Sequence, residues 1–201
     1  MQTTSHNSNQ QTTWGEDVVI EHREEIPEIV QYLNNTIDQL QPLRYEIGKV
    51  FDTEETFKNL INDLPNGSVK GQKEYFIEDI IRLGKLFFES KKNTKMNIQI
   101  EIVKTNMCRL FHADCYRQRL LCTYMGPGTQ WLDNSNVNRK ALGKGSNAHI
   151  VKDFNKINQA KAFEVILLKG KKYGGDELGI VHRSPPIEQE SKTRVLLKID
   201  E

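Results

Sequence analysis

Close to Met96 the spacing of apolar side chains changes from one in every three or four residues to one in every two, so the chain must fold as helices followed by strands. Before the change, Ile26, Ile29, Val30, Leu33, Ile37 and Leu40 fall on one helical face. Pro27 suits the first turn of that helix, where a missing N–H donor costs nothing, and Pro42 lies just past its end. Thr53 and Thr56 behind Asp52 open a second helix carrying Phe57, Leu60, Ile61 and Leu64, which stops at the turn Pro65-Asn66-Gly67. Ser68 can cap a third helix running to about Ser90. Its Tyr75, Phe76, Ile80, Leu83 and Phe87 make the strongest helical period in the chain, a face suited to packing on a sheet.

After the change, Met96, Ile98, Ile100 and Ile102 alternate with Asn97, Gln99 and Glu101, as in a half-buried strand. Residues 107–111, 119–125, 163–168, 179–181 and 193–199 bring the strand candidates to six, and 17–20 adds a short one ahead of the helices. Helices first and strands afterwards predict an α+β fold, with a helical layer at about 22–90 covering a largely antiparallel sheet region at about 96–201. Residues 1–13 are mostly Gln, Thr, Ser and Asn, which cannot bury enough to offset their ordering entropy, and are expected to be a disordered tail. That leaves 14–201 as a single domain. The polar stretch 132–160 has no clear period, and a loop of that length tends to be functional or mobile, which raises the question of a lid.

Composition excludes some roles. With 28 basic and 27 acidic side chains the formal charge is +1, no footprint for nucleic acid. Lys85, Lys91, Lys92 and Lys95 crowd one segment, as at a solvated helix end. No apolar run approaches the ~20 residues that cross a bilayer, and the polar amino terminus does not read as a secretory signal. Three cysteines are too few and too odd in number for a disulfide framework, so a reducing, cytoplasmic location is the expectation.

The chemistry lies in two stretches, RLFHADCYRQRLLCTYMGPGTQWL at 109–132 and VHRSPP at 181–186. His112 and Asp114 follow an apolar run, and side chains two apart on extended backbone share a face. His22-Arg23-Glu24 has the same spacing but sits beside the first helix, so position separates the two. His182 ends a short strand that Ser184-Pro185-Pro186 stops, and is either a third ligand or a hydrogen-bonded structural histidine. Two histidines and one carboxylate make the facial set that leaves positions open on iron. Arg194 opens the last strand, where a hairpin would return it beside His182 and its guanidinium could grip a carboxylate through two parallel hydrogen bonds. Arg183 competes for such an anion. Cys115, Arg119, Tyr124 and Trp131 are candidates to line the pocket, although buried thiols and core aromatics explain them equally. There is no Gly-x-Ser-x-Gly and no evident Cys-His pair.

His112-Ala113-Asp114, then His182, then Arg194 resembles the double-stranded β-helix (cupin-like) oxygenases that use iron(II) and 2-oxoglutarate. The resemblance implies a β-barrel covered by the N-terminal helices, Fe2+ on His112, Asp114 and His182, and Arg194, with Arg183 and Tyr124, toward 2-oxoglutarate. One departure is Leu196, where that superfamily often has a small hydroxyl residue two places after the basic one. The stretches FHADCYRQRLLCTYMGPGTQWL, VHRSPP and RVLLKID are similar to the domain of unknown function 1826 family over most of the chain. That similarity implies metal handling as an alternative, with Zn2+ on the same three residues, Cys115 as a fourth ligand and no turnover. A third expectation is a non-catalytic cupin-like binding module.

Overall fold

The computed structural model describes residues 18–48, 50–89, 95–171, 178–187 and 193–201, and the change of period falls where the third helix gives way to strands. The predicted tail at 1–13, the end of the third helix at Ser90 and two of the crowded lysines, Lys91 and Lys92, lie outside the described residues. So does most of the predicted turn 170–175.

Helix α1 (Pro27–Thr36) follows strand β1 (Val18–Glu21) and starts with Pro27 in its first turn. It ends at Thr36, short of the predicted Leu40, where a turn follows. Strand β2 (Leu43–Ile47) was not anticipated: its three alternating apolar residues were too few to register as a strand after a helical pattern. Asp52 caps helix α2 (Thr53–Asp63) by accepting from the Glu54 and Glu55 amides at 3.0 Å, and the two acidic side chains suit the positive end of the helix dipole. At the other end the buried Lys73 ammonium donates to the Ile61 and Leu64 carbonyls and to Asn66. Helix α3 (Gln72–Glu89) begins after Gly71, whose φ of +93° suits glycine, rather than at Ser68.

All the strand pairs are antiparallel, in two sheets. Strands β3 (Met96–Val103), β4 (Gln118–Met125), β7 (Val165–Lys169) and β9 (Arg194–Asp200) join β1 and β2 in the larger sheet, ordered β1-β7-β4-β9-β3-β2. Strands β5 (Gln130–Leu132), β6 (Asn158–Gln159) and β8 (Val181–Arg183) form the smaller, ordered β6-β5-β8. Beyond β8 a single bridge joins His112 to His182. The predicted strand at 107–111 does not form, and Cys108 sits at φ +49°, which ends extended backbone there.

Alternation on the larger sheet sorts the core. Leu120, Cys122 and Tyr124 of β4 and Val195, Leu197 and Ile199 of β9 face the helices, where they meet Leu33, Phe76 and Ile80. Leu121, Ile166, Leu168 and Leu196 face the other way and pack on Trp131 of the smaller sheet and on Ile180, just before β8. The helical side is pinned by ions: Arg23 donates to both Asp79 oxygens at 2.7 Å, and the buried Tyr124 hydroxyl donates to Asp79 at 2.6 Å. Arg23 also donates to the carbonyl of Phe163, a residue held at φ +66°.

The polar stretch 132–160 is folded. It contains three 3-10 turns, a short helix α4 (Asn147–Ile150) and β6. Asn136 replaces backbone partners, donating to the Asp153 and Lys156 carbonyls and accepting from the Asp153 amide. Val137, Ile150 and Val151 cover Phe111, Leu132 and Val181 on the outer face of the smaller sheet. That face is the back of the site. Among the described residues no helix is long and apolar enough to cross a membrane.

Candidate metal centre

Phe111 and Ala113 pack into the outer cluster, so His112 and Asp114, alternating with them, face the opposite way. The main chain then fixes His112 against β8: its N–H donates to the His182 carbonyl at 3.0 Å, and the His182 N–H returns the bond at 2.9 Å. Their rings lie 4.8 Å apart. The three side chains offer ligand atoms all within 4.8 Å of one another.

Each imidazole is oriented by a carbonyl two residues back, Leu110 at 2.9 Å from Nδ1 of His112 and Ile180 at 3.1 Å from Nδ1 of His182. A carbonyl only accepts, so both Nδ1 atoms carry protons and both Nε2 atoms turn to Asp114, at 3.5 and 3.2 Å. A neutral imidazole in that tautomer would aim a lone pair at a carboxylate. A cation shared by the three side chains would satisfy both. Burial alone would raise the Asp114 carboxyl, but hydrogen bonds from His112 and His182, with the nearby charge of His182 and Arg119, hold it far below the usual carboxylate range. The Asp114 hydrogen bond correspondingly raises His112 against the opposing effect of burial.

Arg119 supports the carboxylate from behind. Its Nη1 donates to Asp114 Oδ2, while Nε and Nη2 grip both oxygens of Asp200, directly across the β4–β9 ladder. The guanidinium stacks over Tyr116 at 4.5 Å.

Arg194 is fully buried on the same inner face. It donates to the hydroxyls of Ser184 at 3.0 Å, Thr123 at 3.1 Å and Thr129 at 3.2 Å, and its Nε has no partner. Among the described residues no carboxylate forms an ion pair with it; Glu101, whose charge it feels, is taken by Lys198. Burial pushes the guanidinium down to about 10. Thr123, Thr129 and Ser184 were missed in the sequence because hydroxyls from three segments converge only after folding. Leu196, two places after Arg194, is part of the inner core. Glycine makes the convergence feasible: a Cβ on Gly128 would lie 2.1 Å from the Ala160 carbonyl oxygen, and one on Gly126 2.6 Å from that of Thr193.

The remaining candidates are dispersed. Trp131 lies directly across from His182 and lines a cleft of about 360 Å³ with Val18, Ile20 and Ile180. Tyr124 is on the helical face of β4, committed to Asp79, so the pairing contradicts its placement toward a cofactor. Arg183 alternates with His182, hydrogen-bonds Gln130 and lies 4.5 Å over Phe111, on the outer face, which likewise removes it from the anion. Cys115 is exposed and does not join the three converging side chains. His22, in the competing His-x-acid pair, binds Glu164 at 2.6 Å instead.

A family profile described as Protein of unknown function (DUF1826) matches residues 11–200. No curated protein matches the chain in sequence. Among solved structures, the dioxygenase for auxin oxidation 1 from Arabidopsis thaliana, in its 2-oxoglutarate complex, aligns with a TM-score of 0.47 and 11% identity, over 79% of this chain and 62% of that one. The chain therefore spans less than two thirds of that enzyme. IDO from Bacillus thuringiensis aligns with a TM-score of 0.42 and 14% identity, over 87% and 83%. An Fe(II)/α-ketoglutarate-dependent dioxygenase, TqaL, aligns with a TM-score of 0.36 and 14% identity, over 81% and 61%.

Proposed function

This chain belongs to the family described as Protein of unknown function (DUF1826), and from that premise we propose that it is a non-haem iron(II)/2-oxoglutarate-dependent oxygenase, a hydroxylase, with the metal on His112, Asp114 and His182. One observation carries the reading: beside a histidine-carboxylate site lies a fully buried Arg194 with an orphaned Nε and no acidic partner among the described residues. An isolated interior charge costs several kcal/mol, so its retention calls for an anion that arrives from outside. The distal carboxylate of 2-oxoglutarate has the charge and the planar shape for that position.

The strand order supports a double-stranded β-helix. From Met96 on, successive segments β3, His112, β4, β5–β6, β7, β8 and β9 alternate between the larger and the smaller sheet. Residues 14–201 are then one domain.

Iron(II) with 2-oxoglutarate would supply oxygen-dependent oxidation of a C–H bond. The chain's own residues do the rest. His112 and His182 bind through Nε2, their tautomers held by the Leu110 and Ile180 carbonyls. Asp114 completes the set and leaves positions open. Arg194, steadied by Thr123, Thr129 and Ser184, orients the anion. Leu121, Leu196 and Trp131 exclude water behind it. A closed zinc site needs a fourth protein ligand, and among the described residues the converging set has three.

The test is anaerobic addition of iron(II) and 2-oxoglutarate to metal-free protein. A visible charge-transfer band in wild type that His112→Ala lacks supports the reading. No band, with zinc bound tightly instead, sinks it in favour of metal handling.

A further inference from the structure

Asp114 has two carboxylate oxygens, and they are not equivalent. Oδ1 faces Nε2 of His112, at 3.5 Å. Oδ2 faces Nε2 of His182 at 3.2 Å and also accepts from Nη1 of Arg119. Arg119 cannot easily let go. Its other two nitrogens donate to both oxygens of Asp200, which is 1% exposed, and its face is covered by Tyr116.

We propose that Arg119, clamped by Asp200, is a positioning residue that restricts Asp114 to one-oxygen ligation and so keeps a coordination position free for a second ligand. The proposal rests on the metal site described above. A carboxylate that turns to bind a cation through both oxygens must swing Oδ2 out of the direction in which Arg119 holds it. Rotation of Asp114 toward that geometry breaks a charge-assisted hydrogen bond in a largely desolvated setting. The clamp has a second consequence. A lone guanidinium next to a dication would oppose metal binding, but Asp200 neutralises it, so the ion meets the net charge of a single carboxylate. Asp200 is on β9, the strand that carries Arg194, so one strand supports both the metal ligand and the anion site. Neither Arg119 nor Asp200 touches the ion; they act through Asp114.

Cobalt(II) is a suitable probe, because its visible absorption reports coordination number without turnover. The full chain is titrated with cobalt(II) alone and then with 2-oxoglutarate, for wild type, Arg119→Gln, Arg119→Lys and Asp200→Asn. The expected result for Arg119→Gln is retained cobalt, with an affinity about tenfold or more weaker, as for loss of an outer-shell partner. The spectrum should also change before any 2-oxoglutarate is added, and 2-oxoglutarate binding should weaken. Arg119→Lys restores a single donor and recovers part of the wild-type spectrum. Asp200→Asn keeps the arginine but loosens its grip, and gives an intermediate spectrum even if Arg119→Gln fails to fold. Wild-type spectra and 2-oxoglutarate affinity in Arg119→Gln and Asp200→Asn would overturn the proposal. Cobalt that fails to bind wild type, or binds His112→Ala equally, would instead overturn the metal site itself and the proposal with it.

Discussion

His112 and His182 exchange both backbone hydrogen bonds, at 3.0 and 2.9 Å, across a single isolated bridge. The main chain therefore brings the two rings together, and each ring is turned by the carbonyl two residues before it. A site built this way is set before an ion arrives, which is the condition for tight binding with little reorganisation.

His112→Ala should consequently leave the metal-free protein within about 1 kcal/mol of wild type, since the bridge uses backbone atoms and the side chain is partly exposed. What it should lose is stabilisation by metal. An ion at a hundred times its dissociation constant contributes about 2.7 kcal/mol. Urea unfolding with and without cobalt(II) measures both quantities. A variant that keeps the metal-dependent increment would show that the ion binds elsewhere.

Arg194→Met should separate anion binding from stability. The substitution removes hydrogen bonds from a charged group, worth about 2 kcal/mol or roughly thirtyfold in 2-oxoglutarate affinity, while metal binding stays as in wild type. It also removes an unpaired buried charge, so the ligand-free protein should be as stable as wild type or more so. Calorimetric titration and urea unfolding read the two effects. A large loss of stability with unchanged 2-oxoglutarate affinity would make Arg194 a structural cation.

Asp79→Asn should destabilise by about 3 kcal/mol near neutral pH, because Arg23 is left buried without its counter-charge. Burial opposes ionisation of Asp79, but the hydrogen bond and charge of Arg23, the Tyr124 hydroxyl and Arg82 outweigh it, and the carboxyl lies below its ordinary 3.8. A folded value below the unfolded one gives stability that is fully present above about pH 4 and lost as the pH falls through the folded value. The deficit of the variant should therefore be constant from pH 7 to about pH 4 and shrink in stronger acid. Unfolding curves at several pH values check this, and a deficit that persists unchanged into strong acid would exclude Asp79 as the titrating group.

Gly128→Ala should cost about 2 kcal/mol by forcing Thr129 away from the Ala160 carbonyl, and should weaken 2-oxoglutarate binding through the Thr129–Arg194 contact. Gly143→Ala is the control. Unlike Gly128 it has positive φ, at +72°, but nothing lies within 4 Å of its Cβ, so only about 1 kcal/mol of left-handed strain is expected and no change in ligand affinity. Equal effects of both substitutions on 2-oxoglutarate would argue against Thr129.

Periodicity works where a segment is long enough to repeat. The α3 face and the alternation of β3 were legible for that reason, since nine of the eighteen α3 residues are buried at helical spacing. Short segments escaped. Strand β2 has five residues and follows a helix, and residues 107–111, apolar apart from Arg109, are broken by Cys108 at φ +49°. The stretch 132–160 looked structureless because its order comes from side chains such as Asn136 bonding to backbone, which leaves no hydrophobic period.

Facing direction was the other limit. Tyr124 and Arg183 were chemically sensible neighbours for an anion, yet each is one step out of phase with the inner face. Arg119, Thr123 and Arg194 are in phase, and the register of β4 on β9 gathers them. By itself the sequence determined which residue types are available and which share a face locally, His112 with Asp114 above all, because a spacing of two on extended backbone is a property of the chain. The tertiary structure alone decided that His182 meets His112 and Asp114, that Asp200 holds Arg119 and that three hydroxyls surround Arg194. Those relationships depend on strand pairing between distant segments, where a shift of one residue turns every side chain to the opposite face.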